Sequence, residues 1–254
     1  MKINLSLNIY WRTALLLSCL AYTCILPAQH LAADTADNAI TIRNAVNAYH
    51  QYVFPETNLY NGSEYVDYAY TIHEGIPFFE TSRFSLGTVE YDNMVYRQVP
   101  LLFDEVKEAV IIQDVSGRNK IQLNTEKVTG FSLLNHQFVK LLPDSSGKLY
   151  MRPGFYDVLY RGNIRVYKKQ TKTVQESITM TEGLKRRIDE QNVFFIKKGS
   201  TFYNVRNKRD VLNITKDRKK EIQQYIKRNR LNVRREKDKA LPQIAAYYDQ
   251  LTNK

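Results

Sequence analysis

Ser145 and Lys148 have the spacing of the Ser-x-x-Lys motif that serine acyl enzymes use for nucleophilic catalysis. In those enzymes the serine begins a helix and the lysine lies one turn further on. Here Pro143, Asp144 and Gly147 indicate a loop between strands instead. The partner motifs Ser-Asp-Asn and Lys-Thr-Gly do not occur in the chain. We therefore expect a turn at this position and no acylation site.

Histidines and glycines form no recognisable metal or phosphate motif. Beyond His30, the histidines His50, His73 and His136 are too far apart for a local ligand pair, and His-Glu-x-x-His does not occur. A three-histidine site would have to be assembled in space by the fold. The chain also lacks a nucleophile elbow, a Walker loop and a dinucleotide-binding fingerprint. The sequence thus predicts no catalytic residue, no metal and no cofactor.

Four carboxylates, Asp104, Glu105, Glu108 and Asp114, cluster near predicted hairpin turns. Paired carboxylates can catalyse glycoside hydrolysis, which makes a hydrolase without a recognisable motif one alternative. Acidic residues at turns are mostly exposed, however, because burying a carboxylate without a partner is costly. We therefore expect these four residues to be exposed turn charges.

The first 33 residues are typical of an export signal. Lys2 and Arg12 precede an apolar run, Thr13–Leu26, and small residues follow where a signal peptidase could cut. The run is shorter than the roughly 20 residues of a membrane-spanning helix, although a retained anchor is the alternative. A lipoprotein would need a cysteine better placed than Cys19 or Cys24. We predict an exported protein, periplasmic or associated with the outer membrane, that is soluble and free of cysteine after cleavage.

Basic side chains are concentrated in the last third of the chain. Residues 161–254 carry 25 Lys and Arg against 10 Asp and Glu, a net charge of +15, whereas residues 1–160 carry 12 against 16, or −4. A field of one sign over one region favours anionic surfaces or polyanions, although a solvated helix face is the alternative. Export argues against nucleic acid. The candidate contact residues are Lys216, Arg218, Lys219, Lys220, Lys227, Arg228, Arg230, Arg234 and Arg235.

Apolar and polar residues alternate from Tyr65 to about Lys169, in short runs separated by turn residues. Asp92 and Asn93, for example, suit the positive φ values of a tight hairpin turn. Runs at this spacing, with no helical pattern between them, predict an antiparallel β-meander that curls into a partial barrel or wraps a helix. A further hairpin is predicted from Val193 to Val205.

Helical spacing of apolar residues appears near both ends of the chain. A short helix is predicted within residues 37–53, and Thr215 can cap a helix that carries Ile222, Tyr225 and Ile226 on one face. Asp238 can cap a final helix, with Pro242 in its first turn. The apolar stripe of that helix comprises Leu241, Ile244, Ala245, Tyr248 and Leu251.

These patterns divide the chain into three parts and define its fold class. Residues 1–33 are the predicted signal, residues 34–205 a β-rich domain, and residues 206–254 a basic helical region that packs back on the sheet. The predicted class is α+β and mainly β: an antiparallel meander, curled or a partial barrel, followed by a small C-terminal helical region.

Several segments resemble a family of uncharacterised exported proteins from Bacteroidota-type bacteria. They are Leu59–Tyr65, Gly87–Tyr96, Val99–Asp104, Gly154–Tyr160 and Tyr247–Leu251. The similarity covers most of the chain after the predicted signal. It implies a location in the bacterial envelope and provides no catalytic residues.

We therefore expect a non-catalytic, periplasmic or outer-membrane-associated binding or accessory protein. Its basic C-terminal helices would contact an anionic envelope surface or an acidic protein partner. One alternative is a carrier of lipids or small ligands, with an apolar cavity inside the curled sheet. The sequence leaves the oligomeric state open.

Overall fold

A computed structural model of the protein describes residues 41–42, 58–142, 151–181 and 183–253. In these residues eleven strands form one sheet, and every neighbouring pair is antiparallel. The strands are β1 (Ser63–Glu64), β2 (Ser85–Tyr91), β3 (Met94–Asp104), β4 (Ala109–Gln113), β5 (Lys120–Gln122), β6 (Val128–Leu133), β7 (His136–Leu141), β8 (Gly154–Arg161), β9 (Ile164–Thr179), β10 (Gly183–Lys198) and β11 (Thr201–Asn204).

The sheet is a meander with one interruption, in the order β1-β5-β4-β3-β2-β6-β7-β8-β9-β10-β11. After β5 the chain crosses to the other side of β2, where β6 pairs, and β1 pairs with β5 at the edge. Asp92 and Asn93 adopt φ values of 52° and 63° in the turn between β2 and β3, as predicted for a tight hairpin. The prediction of a mainly β fold built on an antiparallel meander is confirmed.

Phenylalanine contacts show that the sheet curls. Strands β3 and β8 have three strands between them in the sheet, so in a flat sheet they would lie about 19 Å apart at 4.8 Å per strand. The rings of Phe103 and Phe155 are nevertheless only 5.8 Å apart. Phe131 and Phe138 stack between them at 4.6 Å, and Phe79 packs against Phe138 at 5.0 Å. All five rings are buried and form an aromatic core on one face of the sheet.

Three helices follow the sheet: α1 (Lys208–Ile214), α2 (Lys219–Arg228) and α3 (Lys237–Thr252). A 3₁₀ turn, Lys216–Arg218, joins the first two, and another precedes β1 at Asn58–Tyr60. The helices and the last long strands share one apolar core, so this region packs back on the sheet as predicted. Its buried members include Ile164, Val166, Phe194, Ile196, Val211, Ile222, Ile226, Leu241, Ile244, Ala245 and Tyr248.

Both predicted helix caps are wrong. Thr215 is the C-terminal cap of α1, where its backbone N–H and its hydroxyl both donate to the carbonyl of Val211, and α2 begins only at Lys219. Asp238 lies in the first turn of α3, which begins at Lys237, so it is not the cap. Pro242 therefore lies in the second turn, not the first.

Helix α1 lies within the predicted helical region but was not predicted as a separate helix, although the sequence carries its start signal. Asn207 accepts hydrogen bonds from the backbone N–H groups of Arg209 and Asp210, and the Asp210 side chain accepts from the N–H of Asn207. This reciprocal arrangement is a capping box, and it satisfies N–H groups that a helix start otherwise leaves unpaired.

The long hairpin of β9 and β10 extends beyond the predicted sheet. The two strands pair without interruption, from Ile164 opposite Lys198 to Thr179 opposite Gly183. The prediction ended one hairpin near Lys169 and resumed only at Val193, so this extension was missed. Beyond Lys172 its residues are exposed or half-buried on both faces, which leaves no alternating apolar pattern to detect.

Contrary to the prediction, none of the four turn carboxylates is exposed: two are buried, and Glu108 and Asp114 are half-buried. Asp104 and Glu105 are 0% and 4% exposed. Asp104 accepts hydrogen bonds from the Tyr65 and Tyr68 hydroxyls and from two backbone N–H groups of its own turn. Glu105 forms an ion pair with buried Lys172. Tertiary partners distant in sequence thus override the usual exposure of acidic turn residues.

Several predictions fall outside the described residues: the signal, His30, His50, the Ser145–Lys148 loop and most of the helix predicted at 37–53. Of that helix only Thr41 and Ile42 are described, and both are helical. Residues 55–254 form one compact unit that contains the sheet and the three helices. Within the described part of the chain, no helix is long and apolar enough to cross a membrane.

Candidate anionic-partner surface

Helix α2 forms because its sequence combines good helix formers with an apolar pair one turn apart. Lys, Glu, Gln and Arg fill most positions, and Ile222 and Ile226 are spaced to lie on one face. Both isoleucines are buried in the core shared with the sheet. Tyr225 stacks on Tyr247 of α3, with ring centroids 4.1 Å apart. The predicted apolar face is thus confirmed, and it fixes which side of α2 points to solvent.

The basic residues predicted as contacts lie on the opposite side or in the adjoining turns. Arg218 is the exception, because it is half-buried and lies 3.6 Å from Glu221. The other eight are exposed, and none has an ion pair with another described residue. We call these eight residues the basic surface: Lys216, Lys219, Lys220, Lys227, Arg228, Arg230, Arg234 and Arg235.

Local turns hold the end of the basic surface that follows α2. Arg230 has a φ of 52°, which turns the chain sharply after the helix, and its N–H donates to the Lys227 carbonyl. The backbone N–H groups of Arg234 and Arg235 both donate to the side chain of Asn232. The cations of this segment are therefore carried by a backbone with defined hydrogen bonds.

Acidic residues of the helical region do not neutralise the basic surface, because they are engaged elsewhere. Asp217 lies 2.7 Å from Lys198 of β10 and accepts a hydrogen bond from the Tyr248 hydroxyl at 2.8 Å. Burial would raise the pKa of Asp217, but the hydrogen bonds from Lys198 and Tyr248 hold it below its ordinary value. Asp217 thus stays ionised and directed at the sheet.

The remaining acids of the region follow the same pattern. Asp249 is buried and accepts hydrogen bonds from the Tyr160 hydroxyl and the N–H groups of Asn163 and Ile164, which fastens α3 to the turn between β8 and β9. Asp210 caps α1, and Asp238 pairs with Lys168 of β9 at 3.3 Å. Glu236 is the one acid in the described helical region with no such contact.

Sequence reasoning missed further cations beside the basic surface. Lys208 and Arg209 are exposed on α1, and Arg206 precedes it with its guanidinium 3.7 Å from Asp210. The capping box of α1 could have revealed that these residues lie on a helix. They extend the positive charge of the helical region beyond the nine predicted residues.

The basic surface is polar throughout. The exposed large apolar side chains of the described residues all lie before residue 206, and the apolar face of α2 is already buried against the sheet. A helix that inserts into a bilayer needs a free apolar face. A partner of the basic surface would therefore be held by electrostatic attraction, which salt weakens.

Comparisons with known proteins provide no second line of inference. No family model, curated protein or solved structure matches the chain. The resemblance to exported proteins of Bacteroidota-type bacteria stays a prediction.

Proposed function

We propose that this protein is a non-catalytic binding or accessory protein that contacts an anionic partner through its basic surface. One observation carries the proposal: eight cations are exposed without ion-pair partners among the described residues, while five of the six acids of the described helical region are engaged in ion pairs or hydrogen bonds with other groups. A merely solvated helix face usually mixes both signs of charge. Here the fold separates the two signs.

The arrangement suits an extended anionic surface better than a small anion. The cations are spread over residues 216–235, on α2 and the turns on either side of it, and the buried side of α2 is fixed while its other side is convex to solvent. An exposed ion pair contributes only about 0.2–1 kcal/mol, so useful affinity needs many contacts at once. A membrane with anionic headgroups supplies them, at about 1 kcal/mol for each Lys or Arg near the surface.

The proposed partner is the anionic surface of a bacterial envelope, and an acidic envelope protein is the second possibility. Export, which the first 33 residues predict, would bring the protein to either partner. No observation favours the carrier hypothesis, since the aromatic core of Phe79, Phe103, Phe131, Phe138 and Phe155 occupies the described inner face of the sheet.

The test compares two variants that each lose four positive charges. The first removes part of the basic surface: Lys219→Gln, Lys220→Gln, Arg228→Gln and Arg230→Gln. The control removes four exposed arginines of the sheet region: Arg83→Gln, Arg97→Gln, Arg118→Gln and Arg165→Gln. Binding is measured on phosphatidylcholine vesicles with and without phosphatidylglycerol, at low and high salt.

We expect wild-type binding to require phosphatidylglycerol and to be lost at high salt. The first variant should bind about 1,000-fold more weakly, because each of the four lost charges is worth about 1 kcal/mol near such a surface and about 1.4 kcal/mol is tenfold. The control should bind nearly as well as the wild type. Equal weakening of both variants would mean that net charge and not the basic surface matters, and unchanged binding of the first variant would contradict the proposal.

A further inference from the structure

The outer part of the β9–β10 hairpin has a strand edge without a backbone partner among the described residues. Pairing of β8 with β9 ends where Asp157 lies opposite Lys168. The Lys172 N–H then donates to the carbonyl of Glu105 at 3.4 Å. From residue 173 to residue 178, no described backbone group bonds this side of β9. Such an edge presents N–H and C=O groups that can pair with another chain.

The other edges of the described sheet are short or covered. Strands β1 and β11, at its two ends, have two and four residues. Along β10, the carbonyl of Arg186 accepts the N–H of His73 at 2.8 Å. The N–H of Ile188 donates to the carbonyl of Glu74 at 2.9 Å, so the segment before β2 lies along this edge. Short and covered edges keep a sheet from pairing with other chains, and the outer edge of β9 is neither.

Charge also distinguishes the two strands of the hairpin. Residues 183–189 of β10 include four charged side chains: Lys185, Arg186, Arg187 and Asp189. The opposite residues of β9, 173–179, include only Glu176, and the guanidinium of Arg186 lies 2.6 Å from its carboxylate. Charged side chains on an edge discourage pairing with another chain. The outer edge of β9 therefore lacks this protection too, and its one charge is already neutralised within the hairpin.

Four apolar side chains lie on one face of this part of the hairpin. Ile178 and Leu184 are cross-strand neighbours near the tip, where they are 79% and 39% exposed. Val174 and Ile188 are the half-buried pair two residues further in on the same face. A two-stranded ribbon is marginally stable in water, whereas three or more strands with an apolar face are stable. A second hairpin paired along the β9 edge would extend this face to four strands.

The sequence restricts how the β9 edge can pair with a second copy of itself. The Lys172 N–H points to the outer edge, so by alternation the backbone groups of the even-numbered residues up to Ile178 do as well. Antiparallel pairing centred on Glu176 would place two carboxylates directly opposite each other, which is unfavourable. Pairing centred on Gln175 would bring Ile178 opposite Lys172, whose N–H is already bonded. A centre at Ser177 avoids both conflicts.

We propose that two copies of the protein associate through the outer edges of β9, in antiparallel pairing centred on Ser177. This register places Glu176 of each copy opposite Ile178 of the other, and Gln175 opposite Thr179. No like charges are directly opposed, and both copies use the same surface, as a two-fold interface requires. The interface is small, so the dimer is weak and its population rises with protein concentration.

The test is sedimentation velocity at increasing protein concentration, where we expect the wild type to shift from monomer to dimer. Ile178→Glu should raise the dimer dissociation constant at least about tenfold, because it places a carboxylate opposite Glu176 at two positions of the interface. Ile178→Lys should retain the dimer, because its ammonium faces Glu176 instead. The matched control is Val115→Glu, which changes another exposed apolar side chain, on the turn between β4 and β5, and should dimerise like the wild type.

Cysteine crosslinking tests the register, in a chain that carries Cys19→Ser and Cys24→Ser. Ser177→Cys should form a disulfide-linked dimer on mild oxidation, because opposed residues at the two-fold centre come within disulfide range. Gln175→Cys should not, since the two copies of that residue would lie about 14 Å apart along the strands. A protein that stays monomeric, a dimer that Ile178→Glu leaves unchanged or that both substitutions of Ile178 disrupt equally, or equal crosslinking at both cysteine positions would overturn the proposal.

Discussion

The ionisable groups inside the curled sheet and those on the helical surface are arranged in opposite ways. In the sheet, Asp104, Glu105 and Lys172 are buried. Asp104 accepts a hydrogen bond from the Tyr65 hydroxyl, Glu105 forms an ion pair with Lys172, and Lys172 also donates to a backbone carbonyl. On the helices, eight cations are exposed and have no ion-pair partner among the described residues. A buried charge must be satisfied internally, whereas an exposed unpaired charge remains free for another molecule. The difference separates residues that stabilise the fold from residues that can bind.

The largest effect should come from breaking the buried ion pair. Lys172 donates to the Phe78 carbonyl at 2.6 Å and lies 3.1 Å from Glu105, whose carboxylate makes no hydrogen bond in the described structure. Lys172→Met should destabilise the protein by about 3–5 kcal/mol, because it leaves the buried carboxylate without its counter-ion. Urea unfolding measures the loss. Adding Glu105→Leu should restore part of it, and a double variant as unstable as the sum of the single changes would argue against a buried pair.

Asp104→Ala should have the next largest effect. Its carboxylate accepts hydrogen bonds from Tyr65, Tyr68 and the N–H groups of Val106 and Lys107, and all of these would lose their partner. Hydrogen bonds to a charged group are worth about 1.5–3 kcal/mol, so we expect a loss of about 3 kcal/mol in urea unfolding.

Asp114 is the matched control for this change. It accepts hydrogen bonds from Ser116, Arg118 and Asn119 within its own turn, but it is only half-buried, whereas Asp104 is fully buried. Asp114→Ala should therefore destabilise the protein much less than Asp104→Ala. Equal losses would mean that turn geometry, and not burial, determines the energy.

A smaller, pH-dependent effect should arise at Glu105. Burial raises the pKa of Glu105 above its ordinary value of 4.5, although the Lys172 ammonium opposes the shift. A carboxyl group with a raised pKa binds more protons in the folded than in the unfolded protein. Its contribution to stability is therefore present at low pH and is lost as the pH rises through the raised pKa.

Comparison of the wild type with Glu105→Gln isolates the contribution of Glu105 to the pH dependence of stability. As the pH is lowered from neutral towards 4.5, the wild type should gain stability relative to the variant in urea unfolding. If the difference in unfolding free energy between the wild type and the variant stays constant with pH, or changes in the opposite direction, Glu105 is not held in a desolvated site.

The smallest effect on stability should come from the basic surface. Lys219, Lys220, Arg228 and Arg230 are exposed and support no contact within the described fold, so each change to Gln should alter the free energy of unfolding by less than about 0.5 kcal/mol. Thermal and urea unfolding of the four-residue variant check this expectation. A large destabilisation would mean that these cations stabilise the fold and are not free to bind a partner.

Local patterns predicted much of the fold. Alternation identified the strands of the meander, Asp92 and Asn93 identified a hairpin turn, and the spacing of Leu241, Ile244 and Tyr248 identified the last helix. Each of these signals depends on burial of one face, and burial leaves a periodic pattern in the sequence. The outer half of the β9–β10 hairpin has no buried face, and its strands were missed for that reason.

Features that depend on distant partners could not be predicted. Asp104 is buried because Tyr65 and Tyr68, 39 and 36 residues away, direct their hydroxyls at it. His136 and Asp157 are 21 residues apart and meet because β7 and β8 pair. Composition alone identified the basic residues. The structure was needed to show that Asp217 and Asp249 are engaged in hydrogen bonds with other parts of the fold and do not pair with these cations.

Lysine labelling on anionic vesicles tests the central claim most directly. An amine-reactive reagent is applied to the protein with and without phosphatidylglycerol vesicles, and modification is read at each lysine by mass spectrometry. We expect protection of Lys219, Lys220 and Lys227, and unchanged reactivity of Lys107 and Lys127 on exposed turns of the sheet. Equal protection of both sets, or protection of the sheet lysines alone, would contradict binding through the basic surface.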